Sequence, residues 1–272
     1  MHPVFIQLGD WQLRSYVVMI GVAALAALFY FKAFARRMGL AGPGDFWLLV
    51  NLVVFSAFVV GKLPILLHVL FFDRGNRNLF FDEGLPTFGV LLGVLAGVGM
   101  YCQLRRADFF RIFDYVFLAV PVCHGIARLG CFMNGCCYGR LAGPGLPWAV
   151  VFRNPSAEIP SALLGRPLHP VQLYESAGDF IIAGFLYFFL LPGVEANCLR
   201  RGTIGLAYFA AYGILRFMDD FFRGDEATWF SSGLTGTQVM SLGTMLLAVG
   251  LWICQENFNH KDTKSTKFDR ED

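Results

Sequence analysis

The sequence predicts an all-α integral membrane protein of about seven transmembrane helices with a small extracytoplasmic cap. Three observations carry that prediction. Of 272 residues, 56% are hydrophobic and only 15% charged, whereas a soluble domain is nearer a quarter charged. The apolar residues gather in seven runs, roughly 16–35, 46–72, 86–104, 112–127, 170–191, 203–222 and 237–255. Most are near the roughly 20 residues with which a helix crosses a bilayer core. The basic residues, finally, crowd onto alternate junctions between the runs. No remaining stretch is long enough for a separate soluble domain, so residues 1–256 read as one transmembrane domain. A net charge of +2 gives no reason to expect a nucleic-acid partner.

Met1–Asp10 lacks the basic start of a cleavable signal, so the first run is expected to remain as its own insertion signal. It opens with Arg14-Ser-Tyr16 and is followed by Lys32, Arg36 and Arg37. The second run holds Lys62, Pro64 and His68. Arg105, Arg106 and Arg111 separate the third from the fourth, which holds Asp114 and His124 and is short enough that it should continue into the Gly-rich segment beyond it. Arg200 and Arg201 separate the fifth from the sixth. Lys261, Lys264, Lys267 and Arg270 lie in the tail. By the positive-inside rule these junctions share the cytoplasmic side, which places the N-terminus outside and the C-terminus inside and requires an odd number of spans.

The longest connection, about 128–169, then lies outside. Gly143-Pro-Gly-Leu-Pro147, Asn154-Pro-Ser and Ile159-Pro160 make it a turn-rich cap rather than a span, with Trp148–Phe152 as a candidate short strand. Residues 257–272 are charged and expected to form a disordered cytoplasmic tail.

Arg128-Leu-Gly-Cys-Phe-Met-Asn-Gly-Cys-Cys-Tyr-Gly-Arg140 is the segment hardest to place in lipid. Irregular backbone at membrane depth is tolerated only inside protein or beside a water-filled cavity, and an intramembrane arginine is a functional-site hypothesis by default. The fifth run begins His169-Pro-Val-Gln-Leu-Tyr-Glu175, with Pro170 suited to a first helical turn and with Gln172, Tyr174, Glu175 and Asp179 in its outer half. In the sixth, Arg216, Asp220 and Arg223 recur at i, i+4, i+7 and share one helical face. Guanidinium groups match phosphate through paired hydrogen bonds and stabilise a phosphate that departs. Phospholipid head-group chemistry or transport is the class this pattern favours. Against it stand blander readings: Arg216–Asp220 as a structural bridge, Tyr16 as an interfacial anchor, and His124 as a packing residue.

Cys131, Cys136 and Cys137 are the clustered members of seven cysteines. C-x4-C-C is not a usual zinc spacing, and small core residues, a disulfide, and a metal or redox site all remain open for them. No metal ligand set and no cofactor is expected.

These motifs resemble the phosphatidylglycerol–prolipoprotein diacylglyceryl transferases of bacterial inner membranes. The resemblance runs through Arg128-Leu-Gly130, Asn134-Gly135, Tyr138-Gly139-Arg140, His169-Pro-Val-Gln-Leu-Tyr-Glu175, Tyr212-Gly-Ile-Leu-Arg216 and Asp220-Phe-Phe-Arg223, with weaker echoes in Phe5–Gly9, Arg14-Ser-Tyr16, Phe109–Asp114 and Thr237-Gln238. It implies a multi-pass protein of the bacterial cytoplasmic membrane whose partners are phosphatidylglycerol, membrane lipid and the lipobox peptide of a preprolipoprotein. Diacylglyceryl would move to the lipobox thiol and glycerol phosphate would leave. Arg128 and Arg216 would hold the phosphate, Asp220 would orient the arginines or help with the thiol proton, and Tyr16, Asn134 and Gly139 would shape the lipid site. Arg140, His169, Gln172, Tyr174, Glu175 and Arg223 would complete the substrate site.

The chain also departs from that family's pattern. Phe88 stands at a usual histidine position, Cys131 at a usual asparagine, Cys136 at a usual glutamate and Lys62 at a usual arginine. His124, one turn before Arg128, is the candidate replacement base, and His169 is another, although the resemblance implies a mainly structural role for it. The departures keep two alternatives in play: a phospholipid-dependent transferase with another acceptor, and a non-enzymatic redox or metal-binding protein using the three cysteines.

Overall fold

A computed structural model describes residues 2–9, 11–71, 87–225 and 233–268. The Glu83–Pro86 approach to Phe88 and the side chain of His68 lie outside the described part. A hairpin of β1 (Val4–Leu8) and β2 (Trp11–Arg14) leads into α1 (Ser15–Met38), α2 (Pro43–Phe71), α3 (Thr87–Arg105) and α4 (Phe109–Asn134). A cap containing β3 (Val150–Val151) and β4 (Pro167–Leu168) precedes α5 (Val171–Glu195), α6 (Thr203–Asp219) and α7 (Gly236–Phe268). Among the described residues, six helices are long and apolar enough to cross a membrane, and α6, at 17 residues, is the shortest of the seven. The chain is an all-α, multi-pass membrane protein.

Three local features differ from the sequence reading. The N-terminal hairpin was not expected; it turns at Gly9, whose φ of +59° is the left-handed backbone that glycine adopts without strain. The irregular part of the cap begins after Asn134 rather than at residue 128, because α4 carries Arg128-Leu-Gly-Cys-Phe-Met within its last two turns. And α7 continues to Phe268, through most of the stretch expected to be disordered. From Leu251 to Phe268 there is neither glycine nor proline to interrupt it. As expected, the fourth run does continue into the Gly-rich segment, and Val150–Val151 does form a strand, paired with Pro167–Leu168.

The chain divides into two compact units, Tyr30–Val116 and Met1–Phe29 with Phe117–Asp272. In the first, α2 and α3 pack through glycines. A Cβ on Gly93 would stand 2.5 Å from the Ala57 Cα, and one on Gly97 2.7 Å from the Val53 Cα. Ser56 Oγ donates to the Gly93 carbonyl at 2.7 Å. Small residues four apart that let two backbones touch are the usual means of helix association in lipid, where hydrophobic driving force is absent. Arg105 bridges Asp45 at 2.8 Å, and Arg111 Nε donates to the Arg37 carbonyl at 2.6 Å.

The second unit holds the residues of the candidate site. Gly130 brings α4 against α1, where an added Cβ would meet the Met19 Cβ at 2.8 Å. Ser176 Oγ on α5 donates to the Gly125 carbonyl on α4 at 2.9 Å. Helix α5 widens into one π turn at Leu186–Leu190 just before Pro192, which lacks an N–H to continue the ladder and displaces the preceding turn. The cap has its own core of Phe152, Ala157, Ile159 and Leu168. Residues 138–142 run between two other strands of chain: Arg140 N donates to the Phe222 carbonyl at 2.8 Å, Gly224 N to Tyr138 at 3.0 Å, and Ala142 N to Pro167 at 3.0 Å. Gly139 is the residue this threading requires. A Cβ there would lie 2.2 Å from the His169 carbonyl oxygen.

Candidate active site

Two facing helices each present charged groups one turn apart. Helix α4 offers His124 and Arg128, and α5 offers Glu175 and Asp179, so that the i, i+4 pair of one helix meets that of the other. His124 Nδ1 lies 2.8 Å from Asp179 Oδ2, and its Nε2 lies 3.9 Å from Glu175 Oε1. Arg128 Nη2 lies 3.0 Å from the same Glu175 oxygen, to which Tyr212 of α6 donates its hydroxyl at 3.2 Å. Glu175 and Asp179 are fully buried and Arg128 nearly so. Arg128 and Tyr212 contact this carboxylate directly, His124 lies next to it, and Arg216 and Arg223 act on it electrostatically from their own pairs with Asp220 and Asp225.

The end of α6 supplies the second arginine group. Arg216 Nη1 lies 3.3 Å from Asp220 Oδ1 and 4.0 Å from Asp219, so the pair expected from the i, i+4 spacing is present; Arg223 lies past the end of α6 rather than on its face, and reaches Asp220 Oδ1 at 3.9 Å. Asp220 is fixed in turn by the start of α7. Thr235 Oγ1 and Thr237 Oγ1 both donate to Asp220 Oδ2, the latter at 3.1 Å. Thr235 and Gln238 form a reciprocal cap: Gln238 N donates to Thr235 Oγ1 at 3.1 Å and Thr235 N to Gln238 Oε1 at 3.0 Å. This satisfies two N-terminal amides of α7 and aims the Thr235 hydroxyl at Asp220. Arg223 pairs with Asp225 at 2.6 Å. Burial works against the Arg223 charge, yet Asp225 and Cys137 together raise its pKa above the usual guanidinium value.

The Gly-rich turn closes the site beside Arg128. Gly135, at φ +85°, turns the chain out of α4, and its N–H donates to the Cys131 carbonyl at 2.8 Å. The Asn134 carbonyl accepts from Glu158 N at 3.1 Å, and Gln172 Nε2 donates to the Cys136 carbonyl at 2.8 Å. Cap and α5 thereby hold the turn from both sides. Arg128 Nε, Asn134 Oδ1, Gln172 Oε1 and Glu175 Oε2 are buried with no hydrogen-bond partner among the described residues. Buried polar atoms are normally paired, so these four leave hydrogen-bonding capacity for water or a polar ligand. The three cysteines are free thiols. Cys136 Sγ donates to the Cys131 carbonyl at 3.8 Å, and the neighbouring Cys131 and Cys136 thiols, and after them Arg128 and Arg223, lower the Cys137 thiol below its ordinary pKa despite burial.

The remaining sequence-predicted residues are arranged around this centre. Tyr16 is exposed at the start of α1, within electrostatic reach of Arg128 and the cysteines. His169 is half-buried, 3.4 Å from the Tyr174 hydroxyl and packed on Phe222, while Tyr174 also accepts from Trp148 Nε1 at 2.7 Å. Arg140 engages through its backbone and its side chain is exposed. Asp179, Asp219 and Tyr212 enter the polar layer without having been singled out as site residues. Asp179 carried a signal, lying one turn beyond Glu175 as His124 lies one turn before Arg128. An apolar groove of about 310 Å³ between α5, α6 and α7, lined by Phe185, Leu190, Leu206 and Trp252 among others, includes none of these polar groups.

Residues 3–254 match the family model described as prolipoprotein diacylglyceryl transferase. The chain belongs to that family. A phosphatidylglycerol–prolipoprotein diacylglyceryl transferase of Geobacter sulfurreducens is 33% identical over 84% of this chain and 84% of its own length. Proteins of the same name from a Polaromonas species and from Clostridium tetani are 29% and 28% identical, covering 93% and 92% of this chain and 92% and 96% of theirs. The protein is accordingly a transferase of lipoprotein biosynthesis, of a family named for phosphatidylglycerol and prolipoprotein.

Proposed function

We propose that this chain, in the bacterial cytoplasmic membrane with its N-terminus outside, moves the diacylglyceryl group of phosphatidylglycerol to the lipobox cysteine thiol of preprolipoproteins. The observation that carries the reading is the buried Arg128–Glu175 pair, whose Nε and Oε2 have no partner among the described residues, with the buried Arg216 and Arg223 within electrostatic reach of the same carboxylate. The lipobox sulfur attacks the glyceryl carbon that bears the phosphate. A thioether C–S bond forms, the C–O bond breaks, and glycerol phosphate leaves with the bonding electrons. Negative charge builds on the departing phosphate oxygen, and preformed cations in a water-poor site stabilise that charge without reorganising.

Arg128 and Arg216 are the groups assigned to the phosphate, with Glu175 and Asp220 setting their orientation. Asp220 is tied at one oxygen to Thr235 and Thr237, which suits an orienting role better than proton transfer. His124 is assigned to the thiol proton, its imidazole steadied by Asp179. Asn134, Gly139, Gln172 and Tyr16 shape the head-group pocket, and Arg140, His169, Tyr174 and Arg223 hold the cap segment over it. Residues 1–256 act as a single transmembrane domain in this scheme, with 257–272 as a cytoplasmic extension. The test is complementation of a bacterial strain whose native transferase is conditionally depleted. Restored growth and lipidated prolipoprotein are expected; a well-expressed, membrane-inserted copy that lipidates no lipobox substrate overturns the reading.

A further inference from the structure

The sulfur atoms of Cys131, Cys136 and Cys137 all lie within 4.8 Å of one another, at the edge of the site and with no role in the phosphate chemistry. Cys131 is buried in the last turns of α4, and the other two are half-buried in the turn that follows. Their approach is imposed by backbone. Gly135 at φ +85° reverses the chain, and Cys137 itself holds a φ of +53°, a left-handed conformation uncommon for a residue with a side chain. A Cβ on Gly135 would meet the Ala157 Cβ at 2.9 Å, and Gln172 grips the Cys136 carbonyl. The turn is therefore held in place before anything binds.

We propose that these three thiols form a three-coordinate site for a soft monovalent metal ion of the Cu(I) type. Metal–sulfur bonds of about 2.3 Å in a trigonal plane place the sulfurs about 4.0 Å apart, within a small side-chain adjustment of the spacing present. Thiolate-only donor sets select soft ions. A closed structural zinc site takes four protein ligands, and no histidine, carboxylate or further cysteine joins the cluster among the described residues; three thiolates alone match the trigonal preference of a soft monovalent ion. Three thiolates around one monovalent cation leave a net negative charge. Arg128 and Arg223 lie close enough to Cys137 to act on it electrostatically and offset that charge. Binding involves no change of oxidation state; the ion replaces thiol protons, which pass to solvent.

The test uses full-length protein, purified in detergent, reduced and kept anaerobic, with Cu(I) titrated against a chromophoric Cu(I) chelator. One equivalent should bind. X-ray absorption should report three sulfur neighbours near the metal–thiolate distance of about 2.3 Å. C131S, C136S and C137S should each weaken binding at least about tenfold, a loss of about 1.4 kcal/mol, while C198S and C254S, at exposed cysteines, leave it unchanged. Retention of the bound equivalent in the C131S/C136S/C137S triple variant overturns the proposal. So does a two-sulfur or oxygen-rich coordination shell in the unmodified protein, a measurement that needs no variant to fold. Neither lipid nor peptide is present, so the result is independent of whether the transferase assignment stands.

Discussion

Replacing Glu175 by glutamine tests whether this carboxylate organises the site. Its Oε1 lies 3.0 Å from Arg128 Nη2 and 3.2 Å from the Tyr212 hydroxyl, and the residue is completely buried. Taking away one charge of a buried pair costs about 3–5 kcal/mol, because the partner is left uncompensated. Glutamine keeps the shape and an acceptor for Tyr212, which puts E175Q near the lower bound, about 3 kcal/mol. At roughly 2–4 °C per kcal/mol for chains somewhat shorter than this one, the melting temperature should fall by about 6–12 °C. Arg128→Met alone should cost a similar amount by exposing the Glu175 charge. The double variant Arg128→Met/Glu175→Leu should recover most of the loss, since removing both charges and refilling the volume is often neutral. The assay is thermal unfolding in detergent followed by tryptophan fluorescence, on single and double variants together. An E175Q midpoint within about 1 °C of the unmodified protein, equivalent to well under 1 kcal/mol, would refute the pairing. Strict additivity of the separate Arg128→Met and Glu175→Leu losses in that double variant would do the same, because coupled neighbours deviate from it.

His124→Gln should lower the rate of transfer by about 10²-fold or more, the usual contribution of a positioned proton acceptor, with little change in lipid affinity; an undiminished rate removes His124 from the chemistry. Thr235→Ala should cost about 1–2 kcal/mol through loss of the α7 cap and should also slow transfer by freeing Asp220, whereas Thr235→Ser restores both in parallel melting and activity measurements. Gly93→Val should destabilise by about 1–3 kcal/mol or more, since overpacking a closed contact forces backbone movement and the first added carbon already falls 2.5 Å from the Ala57 Cα. Gly99→Ala, where nothing lies within 4 Å of an added Cβ, is the control expected to melt unchanged.

What could be read from the sequence and what could not follow from the range of the interactions. The apolar runs, the continuation of the fourth run to Asn134 and the common face of Arg216 and Asp220 depend on neighbours within about two helical turns, and periodicity reports these directly. Glu175 was visible as one polar residue among several in the outer half of its helix, but its place at the centre depends on α4 and α6 meeting it from two sides. No spacing within α5 encodes that. Asp179 is the instructive intermediate: its i+4 relation to Glu175 mirrors His124 and Arg128, and pairing the two patterns would have found it. The three cysteines stood out in the sequence, but C-x4-C-C matches no standard ligand spacing and left their role open; that the sulfurs meet depends on the left-handed backbone of Gly135 and Cys137. Arg140 shows the converse. Its motif position suggested a ligand-facing charge, while the fold uses its backbone N–H and carbonyl to stitch residues 138–142 between two other segments.

The central claim is that the buried arginines serve phosphate departure during diacylglyceryl transfer. Its most direct test is transfer from labelled phosphatidylglycerol to a lipobox peptide by the purified protein, with Arg128→Ala and Arg216→Ala run beside it. The account predicts a thioether-linked diacylglyceryl peptide and released glycerol phosphate, with each variant slowed by about 10²–10³-fold at concentrations where both remain folded. A folded, active protein whose rate is insensitive to both substitutions would contradict it.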